Sequence, residues 1–566
     1  MTRPERVRLG DLLVKQGYLS AAQIDEALKD QAATGRKLGR ILLERRFVTE
    51  DQIAMALGRQ MALPYVNVDR LNLDPDVVRL LPESQARRFR ALVLARTPVG
   101  LQVAMADPTD LSAYDELCRL LRSEIELAVV TESQVLEVVD RLYRRTSEIS
   151  GLAKALEADL GEVADFGQLL SSNGQEDAPV VRLLQSVFDD ALQVKASDIH
   201  FEPQEGRLQI RFRIDGVLHP QTTADLRIAS AVVLRLKLIS GLDISEKRQP
   251  QDGRFVVKSR ERPLDVRIST MPTQYGESVV MRLLTRAEGI QNLDDIAMPA
   301  AVLRQFRSAI ARPNGLVLVT GPTGSGKTTT LYAALDELNT PQTKVITVED
   351  PVEYRLDGIN QVQVNEKIDL SFSKVLRSAL RQDPDVLLIG EIRDLETAQI
   401  GLRAAMTGHM VLATLHTNDA ASAPTRLVDM GVPGFLVASA LQGVLAQRLV
   451  RRCCVRCQTE RPLAPREAEW LAAALGGEAR VNVQRVGAGC SHCNNTGYLG
   501  RIGVYEFLDI TRSLASAASR DDPADFLRLA RQQMGSHTLR HQAASLALSG
   551  VTSVAEAMKV SYETDD

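Results

Sequence analysis

The chain has 566 residues, of which 45% are hydrophobic and 25% charged, with a formal net charge of −4. That length calls for several domains rather than one, and near-neutral charge argues against a protein that coats nucleic acid. No apolar run approaches the roughly 18 residues that suggest a membrane span, and the opening MTRPERVRLGDLLVKQG lacks an apolar signal-peptide core. A cytoplasmic protein is expected, with any membrane location supplied by partners.

The first sixty residues repeat with an offset of 29. Arg8-Leu9-Gly10 corresponds to Lys37-Leu38-Gly39, Ile24 to Ile53 and Gln31 to Gln60. Ser20 with Gln23, and Thr49 with Gln52, have capping-box spacing, so each unit reads as helix–turn–helix. A duplicated helical pair packing on itself explains the pattern. A ligand site also explains it, since an arginine near approachable backbone N–H groups can stack on a purine and hold a phosphate. The stretch RLGDLLVKQGYLSAAQIDEALKDQ resembles the tandem cyclic di-GMP-binding N-terminal domain of some pilus and type II secretion ATPases. The resemblance implies one half-site at Arg8, Leu9, Gly10 and Gln31, and a second at Leu38, Gly39 and Gln60. The second unit departs from the first in carrying Lys37 for Arg8 and Arg46 for Gly17.

Residues 62–145 mix strand and helix patterns and complete an N-terminal domain, 1–145, with the bland reading of a packing and docking module. An acidic, polar stretch follows, read as part of a helix and then a flexible linker, with the linker placed over 146–178. Globular patterning returns at 179–295 with the amphipathic VVRLLQSVFDDALQV and then alternating strands. His200 reads as a structural, hydrogen-bonded histidine. Arginines in alternating strands usually lie on a solvent face. The segments ASDIHFEP, DVRIST and GESVVMRLL resemble the second N-terminal domain, PAS-like and α+β, of secretion ATPases. That resemblance makes Arg267 and Arg282 the candidates to stabilise charge on a transferring phosphoryl group, and leaves open whether Arg254 or Arg286 shares the role.

The motor domain is expected at 296–510. The apolar run Leu316–Val319, the loop GPTGSGKTTT and a helix-compatible stretch give the strand–loop–helix order of a P-loop. Gly321, Gly324 and Gly326 let backbone N–H groups turn inward, together with those of Thr323, Ser325 and Thr329. Lys327 reaches the terminal phosphates and the Thr328 hydroxyl ligates Mg²⁺. The strand KVITV ends at Glu349, the candidate base, with Glu353 as fallback. The strand VLLI ends in Gly390-Glu391, without the usual aspartate, so Glu391 serves Mg²⁺. His416 ends a further apolar strand and is placed to couple hydrolysis to motion.

GPTGSGKTTT, ITVEDPVEY, LRQDPDVLLIGEIRD and TGHMVLATLHTND resemble the Walker A, Asp box, Walker B and His box of type II secretion and type IV pilus assembly ATPases. With the N-terminal repeat, the chain is most similar to the subgroup serving MSHA pilus biogenesis. The resemblance implies an α/β fold: a RecA-like P-loop motor, a smaller α+β domain before it, and a helical, mixed N-terminal domain. It further implies an ATP-hydrolysing homohexamer, regulated by cyclic di-GMP. Such a motor acts on an inner-membrane platform protein to extend a pilus or pseudopilus.

Cys454-x₂-Cys457 and Cys490-x₂-Cys493, in a module over 451–500, read as two knuckles closing one structural Zn²⁺ site. Cys453 stands beside Cys454 as a spectator or alternative ligand. Residues 511–566 read as a small helical subdomain without visible chemistry. Two other functions stay open: a RecA-like motor translocating nucleic acid, and a cyclic di-GMP receptor with a weak motor. The first lacks a basic aromatic face; the second sits poorly with intact Lys327, Thr328, Glu349 and Glu391.

Overall fold

The computed structural model describes residues 9–34, 38–45, 47–68, 71, 73–142, 146–162, 179–259, 262–284, 292–477, 481–520 and 522–560. Arg8, Lys37, Arg46 and Arg286 lie outside them.

The repeat folds as two helical hairpins, Leu9–Lys15 with Ala21–Thr34 and Leu38–Glu44 with Glu50–Met61. Both long helices carry the expected reciprocal cap. Gln23 N donates to Ser20 Oγ at 3.3 Å and Ser20 N to Gln23 Oε1 at 2.9 Å, and Thr49 with Gln52 repeats both distances. Each short helix packs on the other unit's long helix. Gly10 and Gly39 lie in the first turns of the short helices, where N–H groups lack intrahelical partners. A Cβ at Gly10 would sit 3.2 Å from Ile24 Cδ1 and 3.8 Å from Leu38 Cδ2. The two motif positions therefore meet across a pseudo-twofold.

A small α/β unit follows. Strands β1 (Ala91–Arg96), β2 (Leu101–Met105) and β3 (Ile125–Val129) form one sheet, antiparallel between β1 and β2 and parallel between β2 and β3. The helix Glu132–Leu142 comes next. The repeat is tied to this unit: Glu50 Oε2 accepts from Ser133 N at 3.2 Å and Ser133 Oγ at 2.6 Å.

The span from 146 begins with a helix, Thr146–Glu162, the helical part expected ahead of the linker. Ile149, Ala153 and Leu156, spaced for one helix face, join a core with Leu183, Val187 and Phe188 of the helix Pro179–Gln193. This core underlies six antiparallel strands: β4 (Asp198–Gln204), β5 (Arg207–Ile214), β6 (Val217–Asp225), β7 (Gln251–Ser259), β8 (Arg262–Thr273) and β9 (Gly276–Leu284). Their order is β6-β5-β4-β9-β8-β7.

The motor sheet is built on β10 (Gly315–Thr320), with β11 (Val345–Glu349), β12 (Asn360–Gln363), β13 (Val386–Ile389), β14 (Met410–Leu415) and β15 (Leu441–Cys453). After the ribbon β16 (Gln458–Pro462) and β17 (Val483–Gly487), β18 (Tyr498–Asp509) returns antiparallel to β15. The sheet order is β12-β11-β13-β14-β10-β15-β18. Strands β10 and β14 are buried along their whole length, as parallel strands covered on both faces must be. The cysteine module hangs from the β15–β18 hairpin. Four helices close the chain, from Arg512–Ser519 to Val554–Met558. Among the described residues no helix is long and apolar enough to cross a membrane.

Candidate functional site

The loop after β10 turns on glycines that no other residue could replace. Gly321 sits at φ 144°, and a Cβ there would fall 2.4 Å from Gln447 O; Gly326, at φ 88°, starts the helix Lys327–Leu338. Gln447 of β15 donates Nε2–H to Ser325 O at 2.7 Å and fixes the loop from below. Thr323, Gly324 and Thr329 are exposed, and Thr328 is half-buried in the first helical turn. Lys327 folds back on its loop, donating to Gly321 O at 2.8 Å and Pro322 O at 2.9 Å. Burial lowers its pKa to about 8, against the charge of Glu391 and with that of Arg448. A phosphate offers this ammonium a charged acceptor in place of two carbonyls. A cleft of about 200 Å³ opens beside the loop, lined by Thr323, Ser325, Arg448, Glu556 and Lys559. The tail read as inert thus supplies two charged side chains to it.

The two candidate carboxylates differ. Glu349, at the end of β11, is only 4% exposed. Tyr332 and Thr347 donate their hydroxyls to it, and Gln361 Nε2 lies 3.3 Å from Oε1. Burial raises its pKa, and these three donors work against the rise. Glu391 is more open. His416 Nε2 lies 2.9 Å from its Oε1, and Arg393 meets Oε2 through Nε at 2.9 Å and Nη2 at 2.8 Å. Gly390 explains why no aspartate precedes it. A Cβ there would lie 3.1 Å from both Glu349 Cα and Val348 O, so a side chain would press the two strand ends apart by a few tenths of an ångström. The Thr328 hydroxyl and the Glu391 carboxylate are hard oxygen donors of the kind that hold Mg²⁺ alongside water.

The middle unit's arginines are paired unequally. Arg254, Arg267, Arg282, Asp198 and Arg213 are consecutive cross-strand neighbours from β7 to β5, and so line one face. Arg267 crosses to the motor: Nη2 donates to Val352 O at 3.1 Å and lies 3.1 Å from Glu353 Oε2. Glu353, the fallback base, is thereby an ion-pair partner. Arg282 turns the other way, its Nε 3.1 Å from Asp198 Oδ1, and Arg254 pairs with Asp265. His200 is buried, 3.6 Å from Glu202, with its pKa lowered by burial; that is a structural histidine.

The thiols of Cys454, Cys457, Cys490 and Cys493 lie within 4.8 Å of one another. Three of the Sγ···Sγ separations are 3.9, 3.8 and 3.8 Å. A tetrahedral ion with metal–sulfur bonds of about 2.3 Å needs sulfurs about 3.8 Å apart, so the set fits zinc. Gly489 N and Gly497 N point at the sulfurs of Cys457 and Cys493, at 3.3 and 3.2 Å. Cys453 points elsewhere, toward Arg485 O at 3.7 Å.

Sequence reasoning passed over Tyr332, Arg393, Gln447 and Arg448. A signal existed for three of them: Arg393 follows Glu391 by two positions, and Gln447-Arg448 interrupt the apolar run of β15. Leu9, Gly10, Leu38 and Gly39 are brought together by the repeat, while Gln31 and Gln60 lie on the long helices.

Residues 173–559 match the family described as type II/IV secretion system protein, and residues 61–149 match the MshEN domain. The type IV pilus assembly ATPase PilB of Myxococcus xanthus is 38% identical, over 97% of this chain and 98% of that protein. Type II secretion system protein E of Xanthomonas campestris pv. campestris is also 38% identical, over 99% of each. The solved ATPase DotB of Yersinia pseudotuberculosis, 20% identical with a TM-score of 0.51, covers 68% of this chain and 94% of its own, and shares the fold. With the P-loop, the paired strand-end carboxylates and most of its length matched, the chain belongs to the type II/IV secretion system protein family and is an ATPase of that family.

Proposed function

We propose that this ATPase is the hexameric motor of a type IV pilus or type II pseudopilus, acting on an inner-membrane platform protein and regulated by cyclic di-GMP. The observation that carries the motor reading is Arg267, which reaches from the middle unit to Val352 and Glu353, where Glu353 N donates to Tyr332 of the helix that follows the P-loop. Two separately folded units meeting at one phosphate site is the arrangement in which nucleotide state and domain closure are coupled.

Within the site, Lys327 and the loop N–H groups hold the phosphates. Glu391, with His416 Nε2 2.9 Å from its Oε1, has the exposure needed to take a proton from water. Glu349 is only 4% exposed and accepts from Tyr332 and Thr347, so we assign it to positioning. This moves the base from Glu349, where strand order alone put it, to Glu391. Arg267 stabilises developing negative charge, and Arg282 organises Asp198 and the sheet. Mg²⁺, held by Thr328 and Glu391, supplies charge neutralisation when bound. Zn²⁺ closes the cysteine module as a structural ion. The first turns at Leu9-Gly10 and Leu38-Gly39, facing across the pseudo-twofold, support a dinucleotide that is itself twofold.

The test is ATP turnover by the full chain, alone, with the platform protein's cytoplasmic domain, and with DNA. Stimulation by the platform domain and loss of turnover in Lys327→Ala are expected. Stimulation by DNA alone would move the assignment to nucleic-acid translocation. Cyclic di-GMP is titrated by calorimetry, and Arg8→Ala is expected to weaken it while leaving basal turnover intact.

A further inference from the structure

Glu137 stands on the helix Glu132–Leu142 of the N-terminal α/β unit, and its carboxylate makes contact far along the chain. Arg456 Nη2 donates to Glu137 Oε1 at 3.1 Å, and His492 Nδ1 lies 3.6 Å from the same oxygen. Arg456 is the residue before Cys457, and His492 the residue before Cys493. Each zinc knuckle therefore contributes one nitrogen-bearing side chain to a single carboxylate. Their side chains are 15% and 14% exposed, whereas Glu137 keeps 49%. The clamp is thus built into the cysteine module, and Glu137 is the group that docks.

The contact lies on a continuous path. Ser133, four residues before Glu137 and so on the same helix face, is held by Glu50, the first residue of the repeat's last helix. On the other side, the first knuckle follows directly on β15, whose Gln447 holds the P-loop at Ser325.

We propose that the two zinc knuckles are the docking surface for the chain's own N-terminal unit, and that the Glu137 contact conveys that unit's ligand state to the motor. The second half rests on the cyclic di-GMP reading; the first does not. The metal's task in this scheme is to hold Arg456 and His492 in register, apart from any part in turnover.

The test uses the full, zinc-loaded chain as wild type, Glu137→Arg, Arg456→Glu and the double exchange Glu137→Arg/Arg456→Glu, with zinc content measured for each. Hydrogen exchange is followed over the segments 454–457 and 489–497 without added ligand. ATP turnover is then measured with and without cyclic di-GMP, and dinucleotide binding by calorimetry. Faster exchange at both knuckles is expected in Glu137→Arg, with zinc, dinucleotide affinity and basal turnover unchanged. Its ligand-dependent change in turnover should fall at least about fivefold, the size of a modest coupling between sites, and the double exchange should restore it. Unchanged knuckle exchange in Glu137→Arg overturns the docking surface. Faster exchange with a full ligand response, or no recovery in the double exchange, overturns the signalling role. If wild type binds no cyclic di-GMP, the exchange result alone decides docking, and the signalling half falls with the ligand reading.

Discussion

Gly390 shows how one missing side chain assigns its neighbours' work. Strands β11 and β13 end so close together that a side chain at 390 would be crowded, and Glu391 is the carboxylate whose charge reaches Lys327 of the loop. Glu391→Gln should lower kcat by roughly 10²-fold or more, the usual contribution of a general base, with nucleotide affinity retained. Glu349→Gln keeps a partner for Tyr332 and should cost less; the ratio of the two kcat values measures the assignment. Gly390→Ala should destabilise the motor by about 1–3 kcal/mol through overpacking, read as a lowered unfolding midpoint. A third carboxylate matters to stability. Glu506 of β18 is 2% exposed and accepts from Ala420 N at 2.7 Å and Leu539 N at 2.8 Å. Burial raises its pKa to about 7. A carboxyl whose folded pKa lies above its unfolded value favours folding while protonated, and that advantage is lost as pH rises from about 4.5 to about 7. Wild type should lose unfolding temperature over that window relative to Glu506→Gln, and parallel curves for the two proteins would refute the assignment.

At the level of elements, the strand–loop–helix at β10 was legible because its signals are local: an apolar run, fixed glycine spacing, then a helix former. The capping boxes at Ser20 and Thr49 were legible for the same reason, three residues apart and read by one turn of helix. The partner of Arg282 was not, since Asp198 becomes its neighbour only once β4 is laid beside β9 in the sheet. The helix Thr146–Glu162 was legible only as part of a helix before a linker, because its acidic residues mask the apolar Ile149, Leu152, Ala153 and Leu156 spaced for one helix face. The cysteine module lies between: the spacing of two knuckles named four ligands, but only the direction of β15 separates Cys453 from Cys454. Cys490→Ser should lose bound zinc and loosen the hairpin insertion, whereas Cys453→Ser should keep it, checked by metal content and by proteolysis of the module. Retained zinc in Cys490→Ser would count against the four-thiolate site.

For the whole molecule, contacts across long chain distances set how the units meet. Arg267 and Glu353 lie on different units, and Arg456 and Glu137 are 319 residues apart. No pattern of residues along the chain foretells such pairs, because they depend on how finished units dock. Arg267→Ala should reduce kcat by roughly 10-fold to 10²-fold, as loss of a charge-stabilising donor does, with the fold unchanged by circular dichroism. Arg282→Ala should instead lower the unfolding temperature, since buried Asp198 would lose its nearer cation and keep Arg213 at 3.7 Å with the Ser197 hydroxyl at 2.8 Å. A kcat effect confined to Arg282 would invert the roles given to the two arginines.

Strand β15 is thirteen residues long, and it runs from beside the P-loop strand β10 in the motor sheet to the first zinc ligand. From Arg448 to Cys454 the span is about 20 Å at the rise of an extended strand. Paired along its length with β18, it is a stiff rod with the nucleotide loop near its pivot and the metal knuckle at its tip. A tilt of about 5° at the pivot sweeps the tip by roughly 2 Å, enough to break or make one ion pair with its neighbour. Gly500, near the tip, also donates to Asp215 of the middle unit at 2.8 Å. The rod's end is therefore a meeting point for all three units, where a small angular change at the phosphate loop becomes a displacement large enough to be felt.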